Sequence, residues 1–170
     1  MDQQDLHVQP FWLKHDYLGG ILEHGIPDFR LDKNLLKNVI DKILDLGVEV
    51  KLNQELGKDF EIEQIEKEYD AIFLGIGANI SSKMRIEGEE LEGVYGGNEL
   101  LENKMHPDYH GKTIVVSGGG NVAMDVSRTV KRMGAERVIV VYRRSENEMP
   151  AEKKEIEEDI YNKREEFKYI

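Results

Sequence analysis

The chain has 170 residues, of which 39% are hydrophobic, and its formal net charge is −11. This acidity argues against a broad nucleic-acid surface or an anionic-membrane surface, since both need clustered Lys and Arg. The sequence contains no cysteine, which excludes disulfides, cysteine-ligated zinc and iron–sulfur clusters within these residues. No apolar run is long enough to indicate a membrane span. We therefore expect a globular, cytoplasmic protein with a small ligand, no nucleic-acid partner and no membrane association.

The first half of the sequence has the pattern of an α/β fold. A short apolar run at Val8–Leu13 predicts a strand, and a glycine-punctuated loop follows it. Apolar residues at spacings of three and four predict a helix over Lys33–Leu46, which Gly47 ends. The remaining segments predict a strand at Val48–Leu52, a short helix at Glu61–Lys67 and a strand of the buried type at Tyr69–Ile76.

The second half also alternates strands with helices. A connector at Gly77–Glu92, rich in Gly, Ser and acidic residues, leads to a short helix near Gly97–Asn103, and we place the domain boundary near residue 111. The elements predicted beyond it are a strand at Thr113–Ser117, a helix at Asn121–Met133, a strand at Arg137–Tyr142, a charged helix at about Ala151–Glu166 and a third strand at Phe167–Ile170. The packing face of the helix at Asn121–Met133 is predicted to be Met124, Val126, Val130 and Met133.

A glycine turn joins the strand Thr113–Ser117 to the helix that follows it. Gly118, Gly120 and Ala123 give the pattern GxGxxA in this position. Gly118 lets the chain turn sharply, Gly120 lets the backbone approach a pyrophosphate, and Ala123 lets the helix pack close to the strand. The helix N-terminus presents N–H groups and a partial positive charge to such a ligand. Strand, turn, helix and returning strand together favour nucleotide binding over a tight turn without a ligand.

The end of the next strand indicates which dinucleotide is bound. An NAD site commonly presents a carboxylate there to the ribose 2′-hydroxyl, whereas this chain has Tyr142, Arg143, Arg144 and Ser145. A carboxylate repels a 2′-phosphate, while a guanidinium pairs with it bidentately. The sequence therefore favours NADPH over NADH, and the alternative is that the two arginines only end a strand in solvent.

One histidine pair has the spacing of a metal site. His106 and His110 are four residues apart, but Pro107 between them breaks the helix that would align them. The sequence therefore predicts no metal site.

Three segments, in order, resemble the family of the small (beta) subunit of NADPH-dependent glutamate synthase. They are GGILEHGIPDFRL, YDAIFLGIGAN and GGGNVAMDVSRTVKRMGAERVIVVYRRSENEMPAE, and the resemblance runs from Phe11 to Ile170. It implies a Rossmann-like architecture with two dinucleotide-binding domains, both incomplete here. Residues 1–111 would be part of an FAD-binding domain and residues 112–170 part of an inserted NADP-binding domain.

The resemblance also implies a function and a set of contact residues. Members pass hydride from NADPH to FAD, and electrons then go to iron–sulfur clusters or to a partner such as the large glutamate synthase subunit. No catalytic acid or base is implied, because hydride transfer between two bound cofactors depends on their orientation. The implied contacts are Gly119, Gly120, Asn121 and Val122 for the pyrophosphate, following the turn at Gly118; Arg143 and Arg144 for the 2′-phosphate; and Ile21, Arg30, Leu56 and Gly77 for FAD.

The chain departs from this family in ways that affect the flavin. Leu13 stands where an acidic residue would hold the adenosine ribose of FAD, the usual FRLP is FRLD at Phe29–Asp32, and only 18 residues precede Gly19, too few for a complete FAD fingerprint. We therefore expect a piece of a longer flavin oxidoreductase, inactive alone and retaining little FAD. The alternative is a truncated, non-catalytic NADP-binding module. The open sheet edge at Phe167–Ile170 predicts self-association or marginal stability.

Overall fold

The computed structural model describes residues 10–78, 80–154 and 166–169. The chain separates into two compact units, Met1–Ala78 and Asn79–Ile170. In the described part of the chain, no helix combines the length and the hydrophobicity that a membrane crossing requires.

The described residues of the first unit form one small parallel sheet and three helices. Strand β1 (Phe11–Trp12) pairs with strand β2 (Val50–Lys51), and Phe11 lies opposite Val50. Both strands are shorter than predicted, and Val8 lies outside the described residues. The helices are α1 (Ile21–His24), α2 (Lys33–Leu44) and α3 (Ile62–Ile65). The predicted helices at 33–46 and 61–67 are thus present with shorter bounds.

Helix α2 is fixed at its start by two side chains. The carboxylate of Asp32 accepts a hydrogen bond from the backbone N–H of Asn34 at 2.8 Å, so the FRLD variation supplies an N-cap. The ammonium of Lys33 donates to the carbonyls of Leu22 and Ile26, both at 2.6 Å, and ties the α1 segment to α2. Of the apolar residues of α2 only Leu36 is buried, whereas Leu35, Val39 and Ile43 are exposed. Little of the predicted apolar stripe is therefore covered within this unit.

The predicted buried strand at Tyr69–Ile76 is wrong in this structure. Residues 71–78 form no strand, and the side chains of Phe73 and Ile76 are 92% and 80% exposed. An apolar β-prone run becomes a strand only where a neighbouring strand receives its backbone hydrogen bonds. Among the described residues of this unit, the only sheet is the β1–β2 pair.

The second unit is built on a parallel sheet with the order β3–β4–β5. Its strands are β3 (Thr113–Ser117), β4 (Arg137–Tyr142) and β5 (Glu166–Tyr169), and its helices are α4 (Gly97–Asn103) and α5 (Asn121–Arg132). The predicted bounds of α4, β3 and β4 are confirmed, and α5 ends one residue earlier than predicted. The third strand is present but begins at Glu166, which was predicted as the end of the charged helix, and Ile170 lies outside the described residues. Residues 155–165 of the predicted charged helix lie outside the described residues.

Helix α5 is the centre of the core of this unit. Met124, Val126 and Val130 are buried in one core cluster with residues of β3 and β4, whereas Met133, also predicted for the packing face, is 39% exposed. Helix α4 packs on α5 and contributes Leu101 to the same core. Because of this packing, α4 belongs to the same compact unit as α5, and the two compact units divide after residue 78.

The end of α5 is set by glycine. Gly134 has φ +97°, which a residue with a Cβ rarely adopts. The N–H of Ala135 donates to the carbonyl of Val130 at 3.1 Å, and the N–H of Gly134 donates to the carbonyl of Lys131 at 3.2 Å. These two bonds form a Schellman motif, which ends the helix and directs the chain into β4.

Candidate dinucleotide-binding site

The glycine turn connects β3 to α5 at the carboxyl edge of the sheet. Gly118 has φ +145°, and a Cβ added to it would lie 3.3 Å from the Cβ of Ala123. Its N–H donates to the carbonyl of Val141 at 2.9 Å. The sharp turn and the close approach of helix and strand predicted from Gly118 and Ala123 are therefore confirmed.

The N-terminus of α5 is open to a ligand. The first intrahelical bond runs from the N–H of Met124 to the carbonyl of Gly120 at 3.2 Å, so the preceding N–H groups have no acceptor within the helix. No side chain caps α5 among the described residues. Among the described residues, a Cβ added to Gly120 would have only the Cγ of Pro150 nearby, at 3.8 Å. Backbone donors, the helix dipole and this free space fit a pyrophosphate.

The arginine pair lies beside the glycine turn. In the parallel register, Ser117 of β3 lies opposite Val141 of β4, so Arg143 and Arg144 follow at the same edge of the sheet as the turn. Both side chains are exposed. Cations at this edge are suitable for a phosphate on the ribose of a dinucleotide that binds across the strand ends.

The segment after the arginines returns to the glycine turn, a contact that no sequence pattern predicted. The N–H of Ala151 donates to the carbonyl of Gly119 at 3.0 Å, and the N–H of Glu152 donates to the Oδ1 of Asn121 at 3.2 Å. The side chain of Asn121 therefore holds this segment. The pattern Ser145-x-x-Glu148 is a local signal for the turn that begins this segment. The Glu148 carboxylate accepts from the N–H and the Oγ of Ser145, both at 3.2 Å, and the first of these bonds is one half of a capping box.

Val122 differs from the other residues of the turn. Its side chain is 38% exposed, and its Cγ1 would lie 3.1 Å from a Cβ placed on Gly97 of α4. The side chain therefore packs towards α4, which leaves its backbone N–H as the group that can meet a phosphate.

The four residues predicted for FAD lie in the first unit, on three segments. Ile21 begins α1 and is 51% exposed, and the N–H of Arg30 donates to the carbonyl of Pro27 at 2.9 Å in the turns that follow. Leu56 forms an isolated bridge with Phe60, and Gly77 has φ +72° beyond the exposed segment 71–76. The structure keeps Ile21 and Arg30 in one turn-rich segment and places Leu56 and Gly77 elsewhere in the unit.

The two histidines near Pro107 bind different partners. The Nδ1 of His106 lies 2.9 Å from the hydroxyl of Tyr109, and the Nδ1 of His110 lies 2.8 Å from the Oδ1 of Asp108. Burial lowers the pKa of His106, and the hydrogen bond from His110 lowers the pKa of Asp108. In the described residues, no three His, Asp or Glu side chains are grouped as metal ligands.

The parallel strands, the glycine turn and α5 define the second unit as a Rossmann-like dinucleotide-binding βαβ unit. The sequence profile of the pyridine nucleotide-disulphide oxidoreductase family matches residues 17–167, and the chain belongs to that family. A pyridine-nucleotide cofactor, which the sequence predicts to be NADP, is confirmed at the level of this family. The FAD expected in the intact protein stays a prediction.

Named relatives confirm the resemblance to the glutamate synthase small subunit. The chain is 37% identical over 156 residues to the glutamate synthase [NADPH] small chain of Escherichia coli K12, with 84% of this chain and 33% of that protein covered. It is 42% identical over 146 residues to the NADP(+)-dependent formate dehydrogenase subunit beta of Moorella thermoacetica, with 81% of this chain and 20% of that protein covered. The chain thus spans a third or less of the length of these relatives.

The fold also matches solved structures. FprA from Mycobacterium tuberculosis, as its His57Gln mutant, superposes with a TM-score of 0.75 at 21% sequence identity, and the match covers 90% of this chain and 40% of that chain. A structure of FprA in complex with NADPH gives a TM-score of 0.71 at the same identity and coverage. At this identity the likeness shows the shared fold.

Proposed function

We propose that the chain is part of an NADPH-dependent flavin oxidoreductase of the glutamate synthase small-subunit type, which passes hydride from NADPH to FAD and electrons on to iron–sulfur clusters or a partner subunit. The observation that carries the proposal is the placement of Arg143 and Arg144 beside the glycine turn, at one edge of the parallel sheet. A pyrophosphate site next to two exposed guanidinium groups fits a dinucleotide with a 2′-phosphate.

Each part of the site has a separate task in this proposal. The backbone of Gly119, Gly120, Asn121 and Val122, following the turn at Gly118, would hold the pyrophosphate, and Arg143 with Arg144 would hold the 2′-phosphate. When bound, NADPH would supply the hydride and FAD would accept it. The chain's own residues bind and orient the nucleotide, which is what hydride transfer between cofactors requires of a protein.

The domain assignment belongs to the same proposal. Residues 1–111 would belong to an FAD-binding part, with Ile21, Arg30, Leu56 and Gly77 near the flavin, and residues 112–170 to the NADP-binding part. The names of the relatives support partnership with other subunits, such as the large glutamate synthase subunit or another iron–sulfur subunit. Self-association through β5 and a cytoplasmic location complete the proposal.

A titration of the chain with NADPH and with NADH tests nucleotide choice. One good charged contact to the 2′-phosphate contributes roughly 1.5–3 kcal/mol, which corresponds to about 10- to 150-fold in affinity. We expect calorimetry to show this preference for NADPH. Equal affinities for the two nucleotides would overturn the assignment.

A second candidate function is a non-catalytic NADP-binding module. The exposure of Phe73 and Ile76 favours it, because the segment next to Gly77 has no strand partner among the described residues. Adding FAD, desalting the protein and measuring the remaining flavin absorbance separates the two candidates. Stoichiometric retention of FAD would exclude the non-catalytic module, whereas loss of all flavin would favour it for this chain.

A further inference from the structure

Tyr142 contacts the glycine turn through its ring. It follows the buried residues Val138 and Val140 at alternate positions of β4, so its side chain lies on the face of the sheet that α5 covers. A Cβ added to Gly119 would lie 2.7–2.9 Å from three carbons of the ring. The aromatic ring therefore lies directly on the backbone of the turn.

Tyr142 also holds the segment after the arginines through its hydroxyl. The hydroxyl donates to the carbonyl of Glu148 at 3.0 Å. The carboxylate of the same Glu148 accepts from the N–H and the Oγ of Ser145. The short turn at 145–148 is thus closed on itself and fastened to the side chain of Tyr142, while Arg143 and Arg144 lie between the two attachment points.

We propose that Tyr142 is a positioning residue for nucleotide binding, which rests on the proposed function of the site. Its ring supports the turn that would meet the pyrophosphate, and its hydroxyl fixes the chain on both sides of the arginines that would meet the 2′-phosphate. Long Arg side chains lose rotamer and backbone freedom on binding. A backbone fixed before binding reduces that cost for the 2′-phosphate contact.

The two functions of the side chain separate by substitution. Tyr142→Phe keeps the ring on Gly119 and removes the hydrogen bond to Glu148, so it affects the arginine segment alone. Tyr142→Leu removes both contacts. A residue that served only the core would lower stability in each variant without changing the choice between NADPH and NADH.

The test is calorimetric titration of the full chain and its variants with NADPH and NADH. We expect Tyr142→Phe to lower the ratio of NADPH to NADH affinity by about three- to tenfold, the loss of one hydrogen bond, and Tyr142→Leu to weaken both nucleotides. Tyr109→Phe is the matched control, because it removes another tyrosine hydroxyl, 2.9 Å from the Nδ1 of His106, and should keep the wild-type ratio. Circular dichroism verifies that each variant is folded.

The outcomes distinguish this inference from the proposed function. If the wild type prefers NADPH and Tyr142→Phe retains the full preference, the positioning role is overturned and the proposed function stands. If the wild type shows no preference or binds neither nucleotide, the proposed function fails and this inference fails with it. If Tyr142→Leu does not fold, the comparison of Tyr142→Phe with wild type still decides.

Discussion

The Nη2 of Arg128 lies 3.2 Å from the Oδ1 of Asp125, one turn earlier on α5, and the two side chains are only 8% and 6% exposed. The Nε of Arg128 also donates to the carbonyl of Met124 at 3.3 Å. The ion pair is buried, and both of its residues belong to α5, the helix whose N-terminus would bind the pyrophosphate.

Breaking this ion pair should destabilise the second unit. We expect Asp125→Ala to lower the free energy of unfolding by about 3–5 kcal/mol, because Arg128 keeps its buried charge and loses the hydrogen-bonded carboxylate of Asp125. The double variant Asp125→Leu with Arg128→Met should lose less stability, since both buried charges are removed. Urea unfolding measures the free energy of unfolding of the two variants. A double variant that is less stable than Asp125→Ala would contradict this explanation.

Removing the arginine pair should abolish nucleotide discrimination. We expect Arg143→Ala with Arg144→Ala to lower the affinity for NADPH by about 10- to 150-fold, because the charged contacts to the 2′-phosphate are lost. The affinity for NADH should stay nearly unchanged. The control is Lys37→Ala with Lys42→Ala, which removes two exposed cations from α2 in the other unit. If calorimetry finds that both double variants lose the same affinity for NADPH, the loss comes from the more negative net charge and not from a contact of the arginines.

Two adjacent glycines should respond differently to alanine. Gly119→Ala places a methyl group against the Tyr142 ring and should cost about 1–3 kcal/mol of stability, as overpacking does. The new Cβ of Gly120→Ala would lie 3.8 Å from Pro150 among the described residues, so this variant should keep the wild-type stability. It should bind NADPH less tightly, because its Cβ occupies the space for the pyrophosphate. Thermal unfolding and calorimetry together separate the effects. Similar stability losses in both variants would contradict the prediction.

Acid should weaken the fold through His106. Burial holds its pKa below the ordinary value, so the unfolded chain takes up a proton first as the pH falls. The free energy of unfolding should therefore be highest above about pH 6.5 and should decrease as the pH falls through the interval between the unfolded and folded pKa values. In urea unfolding at about pH 7.5 and about pH 5.5, His106→Gln should lose less stability than the wild type. If His106→Gln and the wild type lose the same stability between the two pH values, His106 is not the cause of the acid sensitivity.

The sequence by itself determined the βαβ unit and the position of its arginines. The elements of this unit have local signals. The β-branched residues predict the strand, the glycines predict the turn and the end of the helix at Gly134, and the apolar periodicity predicts the helix. The bounds of β3 and β4 were therefore predictable. Because parallel strands end at one edge, the placement of Arg143 beside the glycine turn followed from the order of the elements.

Only the tertiary structure decided the contacts that depend on distant partners. The run Tyr69–Ile76 has strand propensity, but a strand also needs a neighbour to receive its hydrogen bonds, and the described residues of the first unit offer none there. The ring of Tyr142 on Gly119 and the return of Ala151 to the same turn bring together residues that are 23 or more positions apart in the numbering. Local propensity does not encode these contacts, because they arise from packing after the sheet and α5 have formed.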